Sequence, residues 1–158
     1  MCQSASFIIT ERECLWSRFS DEHRVIRAEH GIDEMQKIVT AVPCEVVPRD
    51  NDYRLPFDQW IFGVDLPRDQ WPEWFSAADA EKQCRDNLSK WAETHVYRTG
   101  SHTFGGGSLS LIFLGDAHAE IKNQQGGECR FNESSTGTVS GQQGGKCRFR
   151  DSSKKIQA

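Results

Sequence analysis

A nine-residue block returns at an offset of 18 residues: Gln124-Gln125-Gly126-Gly127-Glu128-Cys129-Arg130-Phe131-Asn132 recurs as Gln142-Gln143-Gly144-Gly145-Lys146-Cys147-Arg148-Phe149-Arg150. The stretch between the copies opens with Glu133-Ser134-Ser135 and is echoed after the second copy by Asp151-Ser152-Ser153. Each unit therefore divides into two halves, each pairing a short alternating strand with a polar Gly/Ser/Asn turn. One such unit cannot bury its own apolar face, so copies must stack. Alternation points Cys129 and Phe131 inward, then Gly137 and Val139, then Cys147 and Phe149, and finally Ile156. Residues 115–121 fit as a preceding half-rung with Ala117, Ala119 and Ile121 inside. The expectation is a thin two-sided β-solenoid tail over residues 115–158. A disordered Gly/Ser/Gln-rich extension is the competing reading that composition alone allows. The matched spacing of Cys and Phe favours stacking.

The rest of the chain differs in character. Residues 1–100 carry 12 Lys and Arg against 18 Asp and Glu, whereas residues 101–158 carry 7 against 5. An acidic head lacks the basic face needed to grip a phosphate backbone, so direct nucleic-acid binding is not expected. Acidic charge suits docking on a basic protein surface, although it also simply keeps molecules apart. The N-terminus lacks the basic segment of a signal peptide, and no stretch approaches membrane-spanning length. That places the expected location in a reducing cytoplasm, away from membranes. The scattered Cys2, Cys14, Cys44 and Cys84 then read as packed thiols without zinc spacing.

Within residues 1–100 the pattern predicts a small α+β domain, a mostly antiparallel sheet with two helices. Ala5–Thr10 is β-branched and aromatic, and reads as a strand. Ser20 is placed to cap a helix that begins at Asp21-Glu22 and ends at Gly31. A strand from Lys37 to Val47 is interrupted at Pro43, which argues for an edge or a bulge. Gln59–Asp65 alternates Trp60, Phe62 and Val64 on one face. Ser76 and Asp79 form a capping-box-like start for a helix with Ala80, Cys84, Leu88, Trp91 and His95 on one stripe. Residues 101–114 read as a joint plus a first strand, with Gly105-Gly106-Gly107 as the flexible element.

The head resembles a family of phage and prophage proteins of unknown function. The resemblance rests on Ala5-Ser6-Phe7-Ile8-Ile9-Thr10, Trp16-Ser17 and Ser20-Asp21-Glu22-His23. It continues through Pro56, Trp60, Phe62, Asp65, Pro72-Glu73-Trp74 and Leu88-x-x-Trp91-Ala92-x-x-His95, covering roughly residues 2–96. It implies a mobile-element origin and brings no activity with it. Such proteins often end in Gly-x-Ala-x-Ala-x-Val-like units. Only residues 115–121 follow that form here.

No catalytic signature emerges. The five histidines share no metal spacing, and a catalytic His needs a positioned nucleophile and an orienting acid. The Gly-rich run lacks the Lys-Ser/Thr of a phosphate loop. The Gln pairs at the turns offer no charge for calcium. Asp50, Asp52, Asp65 and Asp69 are explained by turn formation as readily as by acid/base or Mg²⁺ work. No cofactor and no metal are expected. Trp71-Pro72-Glu73-Trp74-Phe75 forms either an exposed anchor, since Trp is enriched at binding hot spots, or a lid folded on the core. The contact residues expected are Asp69, Trp71, Glu73 and Trp74. The leading expectation is a non-enzymatic inhibitor, of anti-CRISPR-like kind, that binds a host protein or nucleoprotein complex. The alternative is a structural protein that forms a homo-oligomer through its tail.

Overall fold

The computed structural model describes residues 4–33 and 38–157, and Cys2 and Lys37 lie outside them. It has an α+β head with a small antiparallel sheet and two helices, and a C-terminal β-solenoid of about three turns, in which four successive strand pairs form the first to the fourth coil. The chain divides into two units, Met1–Ser17 with Asp21–Trp91, and Arg18–Ser20 with Ala92–Ala158. No helix among the described residues is long and apolar enough to cross a membrane.

The first unit is built on a sheet of β1 (Ala5–Thr10), β2 (Cys14–Leu15), β3 (Ala41–Pro48) and β4 (Trp60–Val64), in the order β2-β1-β3-β4. Strand alternation gives this sheet two apolar faces. One carries Phe7, Ile9, Val42, Cys44 and Val46, all buried. Helix α2 (Ala77–His95) serves this face with Ala80, Cys84, Leu88 and Trp91, likewise buried. Trp60 and Trp91 meet edge to face at 6.1 Å. The Ser76 hydroxyl accepts the Asp79 N–H at 3.3 Å, as its capping position requires. Arg85, off that apolar stripe, folds back and donates to the carbonyls of Phe57 and Trp60, both at 3.1 Å. The Cys84 thiol is pushed up by hydrogen bonding to the Cys14 and Cys44 thiols and by burial, so it stays protonated.

The opposite face packs Ile8, Leu15 and Ala41 against Ile26 of α1 (His23–Glu29). This helix starts later than the sequence indicates. Glu22 holds the capping position without a side-chain bond, while Ser20 donates from its hydroxyl to Ser108 at 3.4 Å. Ser20 thus belongs to the second unit.

Pro43 does not mark an edge. β3 lies between β1 and β4, and residues 38–40 are outside it. The Pro43 carbonyl accepts the Asp65 N–H at 2.9 Å, one position past the Cys44–Val64 pair. The missing proline donor therefore falls where the β3–β4 ladder ends, and ending it there costs no buried bond.

The second unit is a parallel solenoid, and its coils begin well before residue 115. Strands β5 (Val96–Tyr97), β7 (Leu111–Phe113), β9 (Glu128–Phe131) and β11 (Lys146–Phe149) form one sheet. Strands β6 (Ser101–Gly105), β8 (His118–Lys122), β10 (Thr136–Ser140) and β12 (Lys154–Ile156) form the other. The Gly105-Gly106-Gly107 run is therefore a turn inside this unit and not a joint. Register aligns Tyr97, Phe113, Phe131 and Phe149 in one row. Their rings stack at 5.6, 4.7 and 4.5 Å with interplanar angles of 22°, 18° and 8°. Leu111, Cys129 and Cys147 form the neighbouring row. Phe104, Ile121 and Val139 form a row in the opposite sheet.

The polar turns repeat as faithfully as the core. Gly115, Glu133 and Asp151 all take positive φ, at 57°, 57° and 55°. The Glu133 carboxylate accepts the Gly115 N–H, and the Asp151 carboxylate accepts the Glu133 N–H. Ser135 donates to the Phe113 carbonyl, and Ser153 donates to that of Phe131. Buried Gln124 donates to the Gly126 carbonyl at 3.0 Å and accepts from Gln142 at 3.2 Å. Each turn residue thus closes backbone bonds that a thin structure would leave open.

Gly137 is the tightest point of the core, because a Cβ there would sit 2.5 Å from the Phe131 ring. That ring is held by stacking on both sides and cannot retreat. Gly137→Ala is expected to cost about 1 to 3 kcal/mol by overpacking. Adding Phe131→Leu to it should lose less than the sum of the two single changes. Hydrogen exchange of the β9 and β10 amides measures both effects.

Candidate functional site

The fourth coil, residues 142–157, departs from the three before it. It holds five of the seven Lys and Arg found after residue 100: Lys146, Arg148, Arg150, Lys154 and Lys155, against the single acid Asp151. All five cations are exposed. Strand alternation places Lys146 and Arg148 on the outer face of β11, while Cys147 and Phe149 turn inward and are half-buried. Arg148 reaches back to Glu128 at 2.9 Å, and Glu128 also holds Arg130. The remaining four, Lys146, Arg150, Lys154 and Lys155, lie outside that pairing.

Register corrects one expected core residue. Lys155 pairs with Gly137 and Ile156 with Thr138. Counted strictly, the 18-residue offset puts Lys155 and Gln157 in the inward places and Ile156 in an outward one. Ile156 is accordingly 45% exposed. Of the other residues expected inside, Cys129 and Phe131 are fully buried, while Val139, Cys147 and Phe149 pack on them half-buried. The inner row therefore changes from apolar to polar within β12.

The cations were readable from the sequence, since they cluster within ten residues. Averaging charge over the whole tail hid them.

The expected contact segment is largely occupied with itself. The Trp71 indole donates to the Leu66 carbonyl at 2.9 Å. Its ring meets Phe75 edge to face at 5.0 Å, and Arg68 lies over it at 5.9 Å. Trp74 packs on the other side of Phe75 at 6.1 Å. Trp71 and Trp74 are half-buried, and only Asp69 and Glu73 stand in the open. This is a compact aromatic knot with a charged rim.

Nor do the imagined carboxylates form a common site. Asp52 is gripped by Arg54 at 2.7 and 3.1 Å, and this pairing holds its carboxyl below the ordinary value. Asp65 faces His23 instead.

Cys147 reports on the fourth coil. Hydrogen bonding to the Cys129 thiol holds its own thiol below the ordinary value, assisted by the Lys155 charge and opposed by burial. Thiolate is the reactive form. Iodoacetamide should therefore modify Cys147 faster than Cys44 or Cys84, with a pH midpoint below that of a free thiol. Lys155→Ala should move the midpoint upward. Peptide mass mapping of the labelled chain across a pH series reads both.

The chain matches no known family model, no curated protein and no solved structure.

Proposed function

We propose that this chain is a non-enzymatic binding protein whose basic fourth coil receives an acidic, extended segment of a partner protein. The observation that carries the reading is the five exposed cations beside an exposed Ile156 on one coil. Same-face residues on a strand repeat at about 6.5 to 7 Å, so Lys146 and Arg148, and likewise Lys154 and Ile156, match alternating acidic and apolar positions of an added strand. Complementary charge would also speed encounter. The tail's only ring in this coil, Phe149, stacks inward on Phe131, which leaves little for the base stacking that single-stranded nucleic acid uses.

The two parallel sheets support a thin, two-sided solenoid as the frame that presents this coil. A phage or prophage origin, implied by the head's resemblance, would make the partner a host protein and the effect inhibitory. Self-assembly through the tail is the second reading. Two copies meeting at this coil would oppose like charges, and Lys155 interrupts the apolar row that stacking would extend.

A fluorescent peptide of alternating Glu and Val, titrated with the full chain, tests the proposal. Binding that weakens with salt, and at least about 10-fold in Arg150→Glu/Lys154→Glu/Lys155→Glu, supports it. No binding overturns it, as does equal binding by that variant. Preference for an oligonucleotide of equal charge also overturns it. An oligomer in light scattering that the same variant dissolves would favour self-assembly instead.

A further inference from the structure

His23, the first residue of α1, points at two carboxylates from elsewhere in the sheet. Its Nε2 lies 3.2 Å from the carbonyl oxygen of Cys44. A carbonyl only accepts, so Nε2 carries the proton, and Nδ1 of the neutral ring presents its lone pair. That Nδ1 is 3.6 Å from a carboxylate oxygen of Asp65. Glu45 completes the group: one donor atom from each of the three residues lies within 4.8 Å of the other two.

Strand register explains how residues so far apart in sequence converge. Glu45 pairs with Gly63, so Asp65, two positions on, falls on the same face of the sheet. Gly63 carries no side chain, and nothing approaches its Cβ position within 4 Å, which leaves the space beside Glu45 open. The bond from Asp65 N–H to the Pro43 carbonyl fixes the backbone of the third residue at 2.9 Å.

We propose that His23, Glu45 and Asp65 bind a divalent transition-metal ion, of Zn²⁺ or Mn²⁺ type, as three ligands with the remaining positions left to water. Three lone-pair donors facing one another repel unless a cation stands between them. Metal–ligand bonds of about 2.0 to 2.2 Å place ligand atoms roughly 3 to 3.5 Å apart. From separations of up to 4.8 Å the atoms need to contract by at most about 1.3 to 1.8 Å, and Asp65, with 69% of its side chain exposed, is free to rotate toward the other two. The Cys44 carbonyl acts as the outer partner that orients a ligating imidazole. A nitrogen donor favours transition metals over Mg²⁺ or Ca²⁺. Separation by 20 and more residues along the chain kept this trio out of any spacing motif, and only the register between β3 and β4 reveals it. The site is independent of the fourth coil.

Cobalt(II) serves as the probe, because thiolate ligation would announce itself by a sulfur-to-cobalt charge-transfer band. The reduced full-length chain is expected to bind one equivalent, giving d–d absorption without that band. His23→Gln and Asp65→Asn should each weaken binding at least about 10-fold while far-ultraviolet circular dichroism stays unchanged. Zn²⁺ should displace the cobalt. Absence of saturation below about millimolar cobalt, a charge-transfer band, or unchanged binding in Asp65→Asn overturns the proposal, and His23 with Asp65 is then an ion pair only.

Discussion

In-register stacking of one inward row upon the next governs the second unit. A parallel coil buries its inner side chains only against the coils on either side, so each inner residue must meet an apolar partner in the next row. The ring column Tyr97–Phe113–Phe131–Phe149 supplies that continuity, and Gly137 exists to make room for it. The turns then have to keep the same period, or the column would slip. They keep it with carboxylate, hydroxyl and amide side chains that each bond the backbone of a neighbouring coil. Core and turn are thus two expressions of one constraint, that from β7 and β8 onward residue i and residue i+18 occupy the same place.

The head answers to a different rule. Its sheet is buried under α2 on one face and in part under α1 on the other, so β1 alternates between two apolar sets instead of an apolar and a polar one. Phe7, Ile9, Cys44 and Val46 serve α2, while Ile8, Leu15 and Ala41 serve α1. Pro43 limits the third strand's pairing with the fourth, and in doing so it leaves Asp65 at the end of the ladder, across from His23.

How much of this the residues disclosed depended on the range of the forces involved. The helix from Ala77 was legible because its cap, its stripe and its length are all local. The repeat was legible because stacking writes itself into the sequence as identity at a fixed offset. Ile156 was misplaced by following hydrophobicity where the offset should have been followed, and the offset assigns its neighbour Lys155 to the inner row. The first coil, β5 and β6, escaped notice since it pairs with the next at offsets of 16 and 17 residues, as in Tyr97 with Phe113 and Phe104 with Ile121, and not at 18. Ser20 looked like a cap because caps are recognised by composition, yet its hydroxyl was claimed by Ser108, 88 positions away. The His23, Glu45 and Asp65 group depends wholly on strand pairing, and pairing is the long-range fact that a single sequence does not state.

From β7 and β8 onward position i and position i+18 are equivalent, so this protein can change length without changing its chemistry. A replication slip that copies one whole unit of the gene would insert a coil whose rings, glutamines and acidic turns already fit both neighbours. The basic coil would simply be carried outward by about 4.8 Å. A slip of part of a coil would throw the ring column out of register. The genetic record of such a chain should therefore vary in whole coils, and its reach toward a partner is a quantity that selection can adjust in steps.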